Sequence, residues 1–150
     1  MTCLTVHVNH AEEAYSLLMG TCCKHIYKVD TKQLGCTTEF DIELDRFSDY
    51  EDVEEELLHA CIPFSIEKLN DISEIYEWAN YRYDENGELC ICTRCATDPL
   101  DILMELNRVS CNPNLVVRNI QLMIEKYTPL PWTNQDHYAK IHKLKNLVNQ

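Results

Sequence analysis

The stretch IYEWANYRYDENGELCICT, residues 75–93, places Asn86-Gly87 between two runs rich in aromatic and branched side chains. Asn-Gly favours a tight turn whose backbone twist matches that of two antiparallel strands. Both flanking runs have the composition of strands. The sequence therefore predicts a β-hairpin at this point.

Four further strands are predicted upstream of the hairpin. Residues 3–8 alternate apolar with polar side chains, and residues 36–45 alternate apolar side chains with carboxylates. This period of two is typical of a strand that buries one face. Short strands are also predicted over 25–29 and 64–69.

Two helices are predicted between these strands. Asn9 and Glu12 have the spacing of a capping box and predict a helix over 10–19 that ends at Gly20. Ser48 and Glu51 have the same spacing and predict a helix that reaches about residue 61, before Pro63.

After Cys95 the apolar period changes to that of helices, which are predicted over 98–109, 112–127 and 135–147. The last of these has one apolar side, formed by Tyr138, Ile141, Leu144 and Val148. The expected fold is a single α+β domain, residues 1–150. It has an antiparallel or mixed sheet of about five to six strands, helices on one face and a helical C-terminal third.

The composition is that of a globular protein, with 45% hydrophobic residues in 150. The N-terminus lacks the pattern of a signal peptide, and no apolar window is long enough to span a bilayer. Nine cysteines, an odd number that includes the adjacent Cys22 and Cys23, favour reduced thiols over a disulfide framework. We therefore expect a cytoplasmic protein.

Negative charge is concentrated in one part of the chain. The whole chain has a net charge of −12, but residues 39–90 alone have a net charge of −14. Within this part, TEFDIELDRFSDYEDVEEE (residues 38–56) holds ten acids and a single base, Arg46. The acids are Glu39, Asp41, Glu43, Asp45, Asp49, Glu51, Asp52, Glu54, Glu55 and Glu56. Such a surface repels nucleic acid and anionic membranes and attracts basic proteins.

The helical half of this run approaches the charge density of DNA. Six acids within residues 49–56 give about one charge per 2 Å of helix, against one per roughly 1.7 Å of duplex. Leu58 falls within the acidic side of the helix, where it is either an exposed apolar contact for a partner or covered by a neighbouring element. The acids are expected to form one continuous, outward surface that binds a basic groove, with solubilisation as the alternative role.

In size and charge the chain resembles the small acidic proteins of phages and plasmids that block restriction, CRISPR or repair nucleases. The likeness is one of composition and involves no shared motif. It implies a non-enzymatic inhibitor that mimics DNA and binds a nucleic-acid-binding protein or nuclease. The alternatives are a small zinc- or thiol-dependent protein that uses Cys90, Cys92 and Cys95, and an acidic adaptor or oligomerisation module. A homo-oligomer is possible.

Cys90, Cys92 and Cys95 provide the other candidate site, which is for zinc. Zinc in structural sites usually has four thiolate or imidazole ligands, often from two C-x2–4-C pairs, and here only Cys92 to Cys95 has that spacing. Cys111, Cys61 or His59 are possible fourth ligands, and the spacing does not select among them. Buried thiols that act as small apolar side chains are the simpler interpretation.

Catalysis finds little support in the sequence. The Cys22, Cys23 and His25 cluster lies at a predicted strand, where neighbouring side chains point to opposite faces. The phosphate-binding, dinucleotide-binding and metalloprotease motifs are absent, as is the zinc deaminase pattern. No cofactor is therefore expected, apart from the possible zinc.

Overall fold

The structure is a computed structural model, and it describes residues 2–29, 35–70, 75–95 and 113–148. The strands are β1 (Thr2–His7), β2 (Cys23–Lys28), β3 (Thr37–Leu44), β4 (Phe64–Asn70), β5 (Ile75–Tyr83) and β6 (Leu89–Cys95). The helices are α1 (Ala11–Thr21), α2 (Tyr50–His59), α3 (Pro113–Tyr127) and α4 (Gln135–Val148), and a 3-10 turn over Val8–His10 precedes α1.

The six strands form one sheet in the order β2-β3-β1-β4-β5-β6, and every neighbouring pair is antiparallel. The predicted α+β class is therefore confirmed, and the sheet is antiparallel rather than mixed. The helical C-terminal segment is also confirmed for α3 and α4. The helix predicted over 98–109 lies outside the described residues.

One face of the sheet carries the hydrophobic core, because α1 and α2 pack against it. Phe40 and Ile42 of β3 and Val53 and Leu57 of α2 belong to the same buried cluster. Burying each such side chain stabilises the fold by roughly 1.5–3 kcal/mol. We call this side of the sheet the helix face and the opposite side the second face.

The predicted hairpin is confirmed as β5 and β6, which pair from Glu77 with Cys95 to Tyr83 with Leu89. Its turn depends on Asp84, whose Oδ1 accepts hydrogen bonds from the backbone N–H groups of Asn86 (2.9 Å) and Glu88 (2.8 Å). Gly87 has a φ of 75° and lies close to α4, where an added Cβ would be 2.8 Å from a backbone nitrogen. Only glycine fits both conditions without strain.

The predicted ends of α1 are wrong. The residue at its N-cap is His10, which makes no capping hydrogen bond with its side chain. The Asn9 N–H instead donates to Nδ1 of His7, at 3.2 Å. Gly20 lies inside the helix, which continues to Thr21.

The contact of α4 with the sheet is centred on Gln135, which is 1% exposed. β5 continues past the start of β4, so the backbone of Tyr83 has no strand partner on that side. The Gln135 side chain takes the place of a strand: its Nε2 donates to the Tyr83 carbonyl (2.9 Å) and its Oε1 accepts from the Tyr83 N–H (2.8 Å). His142 stacks on the Tyr83 ring, with centroids 4.6 Å apart.

The packed side of α4 differs from the predicted one. Ala139 is buried against Cys61 and Tyr83, and Tyr138 is partly buried beside them. Leu144 and Val148, predicted to share the apolar side with Tyr138, are 63% and 84% exposed.

Among the described residues, no helix is both long and apolar enough to cross a bilayer.

Candidate functional site

The acids of β3 lie on the second face of the sheet. Thr38, Phe40 and Ile42 are buried on the helix face, so strand alternation places Glu39, Asp41 and Glu43 opposite them. We call Glu39, Asp41 and Glu43 the strand group. It is not a free array of charge, since Glu43 forms an ion pair with Lys24 at 3.4 Å.

The negative charge of the strand group affects the pKa of Cys3. It pairs with Asp41 in the sheet register and lies on the same face. Burial raises the pKa of the Cys3 thiol, and the nearby carboxylates of Glu39, Asp41 and Glu67 raise it further. Negative charge on the second face therefore disfavours a thiolate there.

The acids of α2 lie on the other side of the molecule. Val53 and Leu57 turn towards the sheet, whereas Glu51, Asp52 and Glu55 are exposed. We call Glu51, Asp52, Glu55 and Glu56 the helix group. Because α2 covers the helix face and β3 directs its acids to the second face, the ten acids do not form one continuous surface, contrary to expectation.

The connection between the two groups carries Asp45 and Asp49, and Asp49 caps α2 together with Asp52 of the helix group. Oδ1 of Asp49 accepts hydrogen bonds from the N–H groups of Glu51 (2.9 Å) and Asp52 (3.1 Å), and Oδ2 of Asp52 accepts from the Asp49 N–H (2.8 Å). The capping box is therefore Asp49 and Asp52, and the predicted box of Ser48 with Glu51 is wrong. Asp45 is exposed in this connection, one residue after β3.

Glu54 points inwards, unlike its neighbours in α2. Its side chain is 13% exposed and forms an ion pair with Lys68 of β4 at 2.9 Å. Burial raises the pKa of the Tyr81 phenol, and Glu54 raises it further as a negative charge and hydrogen-bond partner. Glu54 therefore fastens α2 to the sheet and does not contribute to an outward surface.

A surface cavity lies beside the helix group. It is lined by Thr21, Cys22, Phe47, Ser48, Asp52, Glu55, Glu56 and His59. Phe47 is 90% exposed, and the guanidinium carbon of Arg46 lies 5.7 Å from its ring centroid. An exposed aromatic ring beside carboxylates provides both groups that bind a lysine or arginine side chain.

Leu58 is not the apolar contact of this surface, because it is partly buried and packs against the core. The exposed apolar side chain beside the helix group is Phe47, which sequence reasoning did not identify. Phe47 lies in the connection between β3 and α2, outside both periodic patterns. The available signal was a large aromatic residue in a short acidic loop.

The second face also carries a buried cation. Arg82 pairs with Cys90 in the sheet register, and its guanidinium donates to Ser65 Oγ at 2.6 Å and stacks 3.4 Å from the centre of the Trp132 ring. Burial lowers the pKa of Arg82 to about 10. The second face thus carries both positive and negative groups, whereas the helix group is entirely negative.

The candidate zinc ligands fall on different sides of the sheet. Cys90 and Cys92 share the second face, because they pair with Arg82 and Asn80. Cys61 packs on the other side with Tyr83 and Ala139, while His59 lines the cavity beside α2. Neither of them therefore completes a site with Cys90 and Cys92. The Cys95 side chain and Cys111 lie outside the described part of the chain, in which no group of three or more His, Cys, Asp or Glu residues has the geometry of a metal site.

The adjacent cysteines have the environment of structural thiols. Cys22 and Cys23 are both buried in the core. Burial raises the pKa of Cys23 to about 12, and its neighbour Cys22 contributes in the same direction. Because the thiolate is the nucleophile, burial and the raised pKa make Cys23 a poor nucleophile at neutral pH.

Comparison with known proteins gives no relative. The chain matches no protein-family model, no curated protein and no solved structure. The case for a function therefore comes from the surfaces described above.

Proposed function

We propose that this protein is a non-enzymatic inhibitor that binds the basic surface of a nucleic-acid-binding protein through the helix group and Phe47. One observation carries the proposal: exposed acids occupy the outer side of α2, and an almost fully exposed phenylalanine lies beside them. A solubilising surface has no need of an exposed aromatic ring. Aromatic residues within a charged rim are instead typical of protein interfaces.

The helix group retains the density that DNA mimicry requires. Its four acids fall within residues 51–56, or about 9 Å of helix, which gives roughly one charge per 2 Å. Duplex DNA carries one charge per roughly 1.7 Å. The surface that we propose to mimic DNA is therefore that of α2 alone, without the strand group.

The cavity gives the interface a specific contact. An arginine of the partner can place its guanidinium over Phe47, as Arg46 does within this chain, and donate to Asp52 or Glu55. Attraction of this kind raises the rate of association and weakens steeply with salt.

Two matched variants test the proposal. In the first, Glu51, Glu55 and Glu56 are changed to lysine, which leaves the cap of α2 and the Glu54 ion pair intact. In the control, Glu39, Asp41 and Glu43 of the strand group are changed to lysine, which changes the net charge by the same amount. The wild type and both variants are used for affinity capture from a lysate at about 0.05 M and 0.5 M salt. The DNA binding of each captured protein is then measured in the presence and in the absence of the wild type or variant.

The expected result is a DNA-binding protein that the wild type retains at low salt only and whose DNA binding the wild type blocks. The control should retain and block it as well, and the helix-group variant should do neither. Retention by the helix-group variant would contradict the proposal. The absence of any salt-dependent partner would instead favour acids that only solubilise the protein.

A further inference from the structure

The side of α4 that faces away from the sheet is exposed and partly apolar. The packed side consists of Gln135, Tyr138, Ala139 and His142. On the opposite side, Leu144 and Leu147 are 63% and 64% exposed. Isolated exposed leucines are ordinary, but two on one side of a helix, beside the exposed Val148, form an apolar stripe.

Lysines border this stripe. Lys140 and Lys143 are exposed and lie one turn apart, next to Leu144. Lys140 forms an ion pair at 2.8 Å with Asp136 of the same helix, a contact between partly exposed groups that contributes little to stability. The outer side of α4 thus combines apolar and positive groups.

The same chain carries the complementary surface. The outer side of α2 carries the negative Glu51 and Glu55, and the exposed Phe47 lies near Glu55 in the neighbouring cavity. Glu51 and Glu55 are about 6 Å apart along their helix, and Lys140 and Lys143 about 4.5 Å along theirs. Two helices laid side by side can therefore pair both lysines with both glutamates.

We propose that the occupant of the α4 stripe is a second copy of this chain, which places its α2 outer side there. Leu144 and Leu147 pack against Phe47 of the second copy, and Lys140 and Lys143 pair with its Glu51 and Glu55. In a two-fold dimer the same contact forms twice, because each copy offers both surfaces. This self-association goes beyond the proposed function, since it needs no other protein.

The net charge of −12 per copy opposes the association at long range. At about 0.15 M salt, repulsion between charges separated by more than about 8 Å is largely screened, whereas the direct pairs are less affected. The dimer is therefore weak and depends on concentration.

Sedimentation velocity at about 0.15 M salt, over concentrations up to about 1 mM, tests the proposal. The wild type should change from monomer to dimer within this range. The K140E/K143E variant should remain monomeric, and the control K24E/K28E, which reverses two exposed lysines of β2, should dimerise like the wild type. Circular dichroism confirms that each variant is folded.

A charge-swap variant completes the test. Adding E51K and E55K to K140E/K143E restores opposite charge across the interface and should restore the dimer. A wild type that stays monomeric throughout, a dimer that K140E/K143E leaves unchanged, or a swap that does not restore association would each overturn the proposal. K140E/K143E leaves the helix group intact, so this variant should still capture the DNA-binding protein even though it no longer dimerises, which distinguishes a failure of the dimer from a failure of the proposed function.

Discussion

The strand group and the helix group come from one acidic run in the sequence, yet they occupy opposite sides of the molecule. In β3 every second residue is an acid, so all three point to the second face. In α2 the acids surround an apolar side that packs on the helix face. The density of charge along a sequence therefore does not determine the density of charge on a surface, because here the sheet lies between the two groups.

The largest difference between the two groups should be in how a single charge reversal changes the affinity for the partner. Glu55→Lys places a positive charge beside Phe47 and against the basic partner, so we expect the affinity to fall on the order of 10- to 100-fold. Glu43→Lys lies on the second face and should change the affinity less than about threefold. Calorimetric titration of the captured partner measures both. Equal losses would show that the partner contacts both faces.

Within α2, Glu54 and Glu55 should differ in stability. Glu54→Gln removes the half of a mostly buried ion pair that neutralises Lys68, so we expect a loss of about 1–3 kcal/mol in the free energy of unfolding. Glu55→Gln changes an exposed side chain and should remain within about 0.5 kcal/mol. Urea unfolding of the two variants measures the difference. Similar values would mean that Glu54 faces outwards like its neighbour.

The two residues just before α2, Ser48 and Asp49, should differ in how much they stabilise the helix. An acid that caps the helix contributes to stability rather than to partner binding. Asp49→Ala leaves the first N–H groups of α2 without their acceptor, and we expect it to cost about 1 kcal/mol. Ser48→Ala should cost almost nothing, although the sequence pattern placed the cap there. Thermal unfolding of both variants decides between the two positions. A larger loss for Ser48→Ala would restore the original prediction.

The smallest effect concerns the alkaline pH dependence of stability. The pKa of Tyr81 is raised by burial and by Glu54, so the folded state keeps the phenol protonated at a pH where the unfolded chain, with a pKa near 10, begins to lose that proton. Stability is therefore retained below pH 10 and falls as the pH rises beyond it.

Glu54→Gln removes one cause of the raised pKa and should make this fall less steep, while Glu55→Gln should leave the slope unchanged. Urea unfolding between about pH 9 and 11 measures the slope. Buried Tyr83 and Cys23 contribute equally to all three proteins, so they do not affect the comparison. An unchanged slope in Glu54→Gln would show that Glu54 does not act on Tyr81.

The parts of the fold that depend on local patterns were predictable. Strand alternation located β3, and Asn86-Gly87 located the turn between β5 and β6. The helix start at Pro113 also follows from a local signal. Neighbouring residues alone decide these features.

Features that depend on distant residues were not predictable. Glu54 points inwards because Lys68 and Tyr81 lie on strands that follow α2 in the chain. α4 packs through Gln135 rather than through its apolar side. The reason is that the Gln135 side chain hydrogen-bonds to the backbone of Tyr83, which has no strand partner on that side. The ordinary assumption that the apolar side of a helix is buried fails there.

Carboxylate labelling tests most directly the claim that the helix group alone meets the partner. The protein is treated with a carbodiimide and an amine, free and in complex with the captured DNA-binding protein, and each labelled residue is quantified by mass spectrometry. We expect the complex to protect Glu51, Glu55 and Glu56 from labelling and to leave Asp41 and Glu43 labelled as in the free protein. Protection of Asp41 and Glu43 equal to that of the helix group would contradict the claim.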